Sequence, residues 1–117
     1  MSVLDQISSP LPRDKNAVAL QGIYPNIVSG NVTVVTGGTP VQLANTYTEA
    51  KLLTITNPTS NSVAAYIGGT GVKNVAGGTK GIPILPDNTY NFTITDLSKV
   101  WVDADGNGVL LTYNYQF

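Results

Sequence analysis

The chain contains no cysteine and no histidine. Without thiols there is neither a disulfide framework nor a thiolate metal site. Without imidazole the usual general base and the commonest metal ligand are gone. Charge is scarce too: Asp, Glu, Lys and Arg make up 11% of residues, against roughly 25% in an average soluble domain. Net charge is −1 and the six cations form no stripe, so the electrostatic footprint of a nucleic-acid binder is missing. No apolar run approaches the roughly 20 residues of a membrane helix. Neither nucleic acid nor membrane is an expected partner. Met1–Lys15 has no basic start and no long apolar stretch, so it does not read as a signal peptide.

In place of charge the chain carries fourteen threonines and eleven asparagines. Its 117 residues suit a single domain with a modest core. A net charge near zero favours association, because little repulsion keeps copies apart.

The clearest pattern lies between Lys51 and Gly71. Two apolar runs, Leu52–Thr56 and Val63–Ile67, flank the breaker Asn57–Ser62. Leu53 and Ile55 share one face of a period-2 strand, as do Val63, Ala65 and Ile67 in the next. The six-residue break reads as a β-arch or wide hairpin. The same grammar begins at Asn31, where Asn31–Thr36 and Pro40–Ala44 flank Gly37-Gly38-Thr39 as an expected hairpin. Gly81–Pro86 is bracketed by proline and fits an edge strand, since Pro83 cannot donate to a ladder. Thr89–Thr95 alternates Tyr90, Phe92 and Ile94 with polar residues, the signature of a half-buried antiparallel strand. Val100–Ala104 and Gly108–Phe117 follow, the latter with Val109, Leu111, Tyr113, Tyr115 and Phe117 on one face. These patterns predict an all-β domain over residues 31–117, an antiparallel β-sandwich or flattened barrel of about seven or eight strands. The expected core is Leu53, Ile55, Val63, Ile67, Phe92, Ile94, Val102, Val109 and Leu111.

Residues 1–30 differ. They hold three prolines, the charge cluster Arg13-Asp14-Lys15, and aliphatics without sustained alternation. This combination predicts an extended N-terminal arm that orders on a partner. Leu4, Ile7, Leu11, Arg13, Lys15 and Ile23 are its candidate partner-binding residues. Trp101 stands opposite Val100 and Val102, which makes it a candidate interface anchor.

Candidate chemistry is sparse. Asp103-Ala-Asp105-Gly-Asn107-Gly108 places Asp, Asp, Asn and Gly at positions 1, 3, 5 and 6 of a calcium loop. Position 12 is Asn114, however, where a bidentate Glu belongs. Asp-Gly followed by Asn-Gly also signals a hairpin turn; a plain turn is the expected reading, with a weak cation site as the alternative. Gly69–Asn74 and Gly77–Gly81 look like phosphate loops but lack the required glycine and Gly-Lys-Ser/Thr order, so a flexible loop is expected. The seven acids fall mostly at predicted turns and read as solvated. A serine nucleophile would need a lysine base, and no Ser-x-x-Lys spacing occurs. No catalytic residue, metal or cofactor is expected, and an enzyme is disfavoured.

Residues 51–115 resemble the small β-domains of accessory virion proteins in tailed bacteriophages. Three stretches carry the resemblance. The first is Leu53–Asn57 leading into Tyr66–Val72. The second is the Gly81-Ile-Pro-Ile-Leu-Pro86 corner. The third is Asp96–Gly106, containing Leu-Ser-Lys-Val-Trp-Val, with the closing Val109–Tyr113. Pro86-Asp87 departs from the Pro-Gly common at that corner. Such domains occur as head decoration or cement proteins and as parts of head fibres, collars and tail appendages. The resemblance implies a structural virion component, made in the host cytoplasm and placed on the capsid surface. Its expected partners are the major capsid protein or other virion proteins, and copies of itself, a trimer included. The expected function is capsid decoration that stabilises the head. The alternative is a fibre, collar or tail-appendage module binding a host receptor or glycan.

Overall fold

The computed structural model describes residues 24–73 and 80–117. Eight strands are present among them. They are β1 (Ile27–Val34), β2 (Val41–Gln42), β3 (Leu52–Asn57), β4 (Ala65–Gly68), β5 (Ile82–Ile84), β6 (Asn88–Thr93), β7 (Trp101–Ala104) and β8 (Val109–Gln116). They form two four-stranded antiparallel sheets, β1-β8-β3-β6 and β2-β7-β4-β5. The expected all-β sandwich is therefore the architecture. A short 3-10 turn, Leu97–Lys99, links β6 to β7 and is capped by the Asp96 carboxylate, which accepts from the Ser98 N–H.

Alternation explains which side chains fill the space between the sheets. In β3 the inward positions are Leu53, Ile55 and Asn57, all fully buried. In β8 they begin with Val109 and Leu111, and opposite them lie Ile67, Ala65, Val102 and Ala104. Full burial of one such aliphatic side chain stabilises by about 1.5–3 kcal/mol. Further along β8 the same face carries Tyr113 and Tyr115, then Phe117, stacked with ring centroids 6.4 and 6.2 Å apart. Six of the nine expected core residues are buried. Val63, Phe92 and Ile94 are only partly so, packed against the core from its margin. Phe92 faces inward, but β6 ends its sheet, and an edge strand leaves its inner side chains one open flank.

The connections differ from the sequence expectation. Asn31–Thr36 and Pro40–Ala44 do not form a hairpin: β1 pairs with β8 and β2 with β7, in opposite sheets. The glycine-bearing segment between them is an arch. Gly37 sits there because an added Cβ would lie 2.9 Å from the carbonyl oxygens of Ala104 and Gly106. Asp103–Gly108 is likewise an arch between β7 and β8 and not a hairpin turn. The break at Asn57–Ser62, expected as an arch or wide hairpin, is an arch. β4 and β5 alone are joined consecutively within one sheet. β5 is an edge strand carrying Pro83, as its missing N–H requires.

Among the described residues the first strand, β1, starts at Ile27, four residues ahead of Asn31. Ile27–Gly30 pair with Tyr113–Gln116, but Ser29 and Gly30 interrupt the apolar alternation that would mark them. Asn26 and Phe117 extend the pairing by exchanging both backbone hydrogen bonds at 3.1 Å.

Candidate functional site

The acids expected to be solvated divide into two groups. Asp103 is fully buried. Its Oδ1 accepts from the Gly38 N–H at 2.9 Å and from the Ala104 N–H at 2.8 Å. Asn107 Oδ1 accepts from the Gly37 N–H at 2.8 Å, and Asp105 Oδ2 accepts from the Tyr66 hydroxyl at 2.9 Å. The calcium-like run thus directs its oxygens at backbone N–H groups and a phenol of the neighbouring arch and strand. Among the described residues no three metal-ligating acids converge. Burial, the hydrogen bond to Asp105, and the charges of Asp105 and Asp103 push the Tyr66 phenol above the ordinary tyrosine range.

Asp96 is the second buried acid. Burial pulls its pKa upward, yet the Ser98 hydroxyl, the N–H groups of Thr48 and Ser98, and the Lys99 charge together hold it below the usual carboxylate value. Its oxygen ties the 45–51 connector to the 3-10 turn. Neither buried carboxylate faces an open cavity with a second acid.

In the sequence Asn57 opens the polar break. In the structure it is a buried hub, with Nδ2 donating to the Val63 carbonyl at 3.0 Å and the Ile84 carbonyl at 2.8 Å. Its Oδ1 accepts from Asn61 Nδ2 at 2.7 Å. One side chain therefore joins β3, the arch and β5. A sequence signal existed: 53, 55 and 57 are successive inward positions of one strand.

Two surface features stand out among the described residues. The first is a cleft of about 440 Å³ that opens between the edge strands β5 and β6. Its floor is Leu53, Ile67 and Val100; Phe92, Ile94 and Ile82 line its walls, with Gly69 and Gly81 at the lip. Gly81 has φ +73°, and a Cβ there would collide with the Ile67 carbonyl. Only a glycine keeps the lip this thin. The second is scattered apolar exposure: Ile27 at 64%, Val35 at 70%, Tyr47 at 69% and Leu85 at 54%.

Of the candidate partner-binding residues, Leu4, Ile7, Leu11, Arg13, Lys15 and Ile23 lie outside the described residues. Trp101 is half-buried in β7, opposite Gln42 on one neighbour and Gly68 on the other. The structure does not bring it into the cleft. Of the tyrosines, Tyr90, Tyr113 and Tyr115 pack against the core, and the outer face of the β1-β8-β3-β6 sheet is hydroxyl- and amide-rich. On it Ser29 bonds Asn114 at 2.6 Å and Thr54 bonds Asn91 at 2.7 Å.

No family model and no curated protein matches the chain. Among solved structures, one similar chain belongs to Bacillus endospore appendages, described as a novel family of disulfide-linked pili. It is 13% identical, with 79% of this chain and 86% of that one covered, at a TM-score of 0.38. A similarity at that level carries no argument about the present chain, which has no cysteine to form such a linkage.

Proposed function

We propose that the chain is a non-enzymatic structural protein of a bacteriophage virion, a decoration protein that binds the major capsid protein and stabilises the head. One observation carries the reading. The buried carboxylates Asp96 and Asp103 accept from backbone N–H groups, while apolar side chains such as Ile27, Val35 and Leu85 stand more than half exposed. The polar interior holds the arches together, and the apolar exterior offers surface for burial against a partner.

The mechanism is binding energy alone. A protein that binds the assembled shell and not its dissociated subunits stabilises the shell by mass action. Each exposed aliphatic contributes about 1.5–3 kcal/mol if fully buried at the contact. The low charge of the chain keeps the cost of desolvating that contact small. The resemblance of residues 51–115 to accessory virion domains supports the same reading.

Quantitative mass spectrometry of purified particles tests it. A decoration protein is present in numbers comparable to the capsid protein, and particles lacking it lose their genome at a lower temperature. Presence at a small fraction of the capsid protein, with unchanged particle stability, would assign it to a fibre, collar or tail appendage.

A further inference from the structure

The cleft between β5 and β6 is apolar and bordered by the edge strand of each sheet. Elsewhere the two sheets meet through interdigitated aliphatics, but here the side chains of Phe92, Ile94 and Ile82 line open space. Among the described residues β6 ends one sheet and β5 the other, so each presents a backbone edge with no ladder partner there, beside an apolar floor. That combination fits an extended apolar peptide: an edge supplies main-chain hydrogen bonds and a slot receives alternate side chains. The charged groups at the rim do not ask for a charged ligand. The Asp96 carboxylate is already held by Thr48 and Ser98, which leaves Lys99.

We propose that this cleft is the docking site for the N-terminal segment, residues 1–23, of a second copy of the chain. The segment has suitable chemistry. Leu4, Ile7 and Leu11 are aliphatic, Pro10 and Pro12 favour an extended backbone, and its cations Arg13 and Lys15 are balanced by Asp5 and Asp14. At roughly 3.3 Å per residue it spans up to about 75 Å, well beyond its own domain.

The position of its anchor argues for exchange between copies. Asn26, bonded both ways to Phe117, holds the start of the described chain beside β1. β1 is the opposite edge of its sheet from β6, three strand spacings or about 14 Å away. Between the two points the β3–β6 ladder continues past the strands. Ala50 N–H bonds Thr95 O, Glu49 bridges Asp96, and Leu97 N–H bonds Thr48 O. This extension lies across the direct path within one molecule. A neighbour's segment need not pass this extension, and copies of net charge −1 repel one another little. Contact between copies through the apolar arm does not depend on any capsid.

The test uses the full chain in isolation. Sedimentation velocity across a concentration series should show self-association. Leu4→Ser/Ile7→Ser/Leu11→Ser should abolish it, since loss of even one buried aliphatic weakens binding about tenfold to a hundredfold. Gly69→Phe should do the same from the other side, because Gly69 lines the cleft, a Cβ there meets nothing within 4 Å, and the added ring crowds the lip. Unchanged far-ultraviolet circular dichroism keeps either result from being a folding defect. In the cysteine-free background, single cysteines at position 4, 7 or 11 in one population and Gly69→Cys in another should form a mixed disulfide dimer. A chain that is monomeric at all concentrations would overturn the proposal. So would self-association that survives both variants, or cross-linking that occurs only within one molecule when both cysteines share a chain.

Discussion

Replacing Asn57 with alanine tests whether a polar hub or apolar packing holds the β3–β4 arch. The substitution removes two hydrogen bonds donated by Nδ2, to the carbonyls of Val63 and Ile84, and one accepted by Oδ1 from Asn61. Each such bond contributes about 0.5–1.5 kcal/mol net, and a buried group left short of its partner loses more. Asn57 is fully buried, so water does not readily replace what is lost. The expected cost is about 3 kcal/mol, a large share of the roughly 5–15 kcal/mol available to a domain. Urea unfolding measures it: with a slope of about 1.5 kcal/mol/M, the midpoint should fall by about 2 M at unchanged slope. Asn57→Asp keeps the volume but turns oxygens towards two carbonyls, and should cost at least as much at neutral pH. A loss below about 1 kcal/mol for Asn57→Ala would refute the reasoning and leave the arch held by its apolar flanks.

Leu53→Ala, at a fully buried position, should cost about 2–5 kcal/mol by the same measurement. Phe92→Ala, at the open margin, should cost less than Leu53→Ala despite the larger side chain removed; the reverse order would show that the cleft is closed in solution. Alkaline stability should be limited by tyrosines. The raised pKa values of Tyr66 and Tyr113 mean that the unfolded chain releases its phenolic protons first, so stability holds below about pH 10 and is lost as pH rises further. Tyr66→Phe should flatten that fall in a pH series of thermal melts, and an unchanged slope would count against the burial of its hydroxyl. Asp96 runs in the opposite sense: its lowered pKa confers stability above the ordinary carboxylate range that disappears as pH falls through the folded value. Asp96→Asn should remove part of the acid-side slope, and an identical acid profile would show that its hydrogen bonds form equally in the unfolded chain.

The sandwich was legible because period-2 alternation survives in β3, β6 and β8, where Leu53, Phe92 and Leu111 each fall on the inward face. Which strand each one pairs with was not legible. Alternation records a buried face, and that face looks the same whether the next strand lies beside it or across the core. Hence Gly37-Gly38 and Asp105–Gly108 read as hairpin turns when both are arches. Polar burial was hidden for a related reason. Asp103, Asp96 and Asn57 have turn-forming residue types, and only the folded chain shows the N–H and C=O groups they meet. Of the candidate partner-binding residues, Trp101 could be located and stands apart from the cleft. The cleft itself has no sequence signature, because it arises from two strand edges, β5 and β6, that are joined by one short turn yet belong to different sheets.

The strand order has a consequence for how the chain is made. β8 lies between β1 and β3, so β1 waits for β8: among the described strands, Ile27–Val34 has no ladder partner until Val109–Gln116 has left the ribosome. With one exception, consecutive strands are not neighbours in a sheet, and little structure can zip up locally. Such topologies fold on the millisecond-to-second scale. During synthesis, at about 5–20 residues per second, β1 and β3 therefore spend seconds with unpaired edges. A ribosome-stalled chain ending before Val109 should be protease-sensitive throughout, and release of the final strand should confer protection on all of the described strands together.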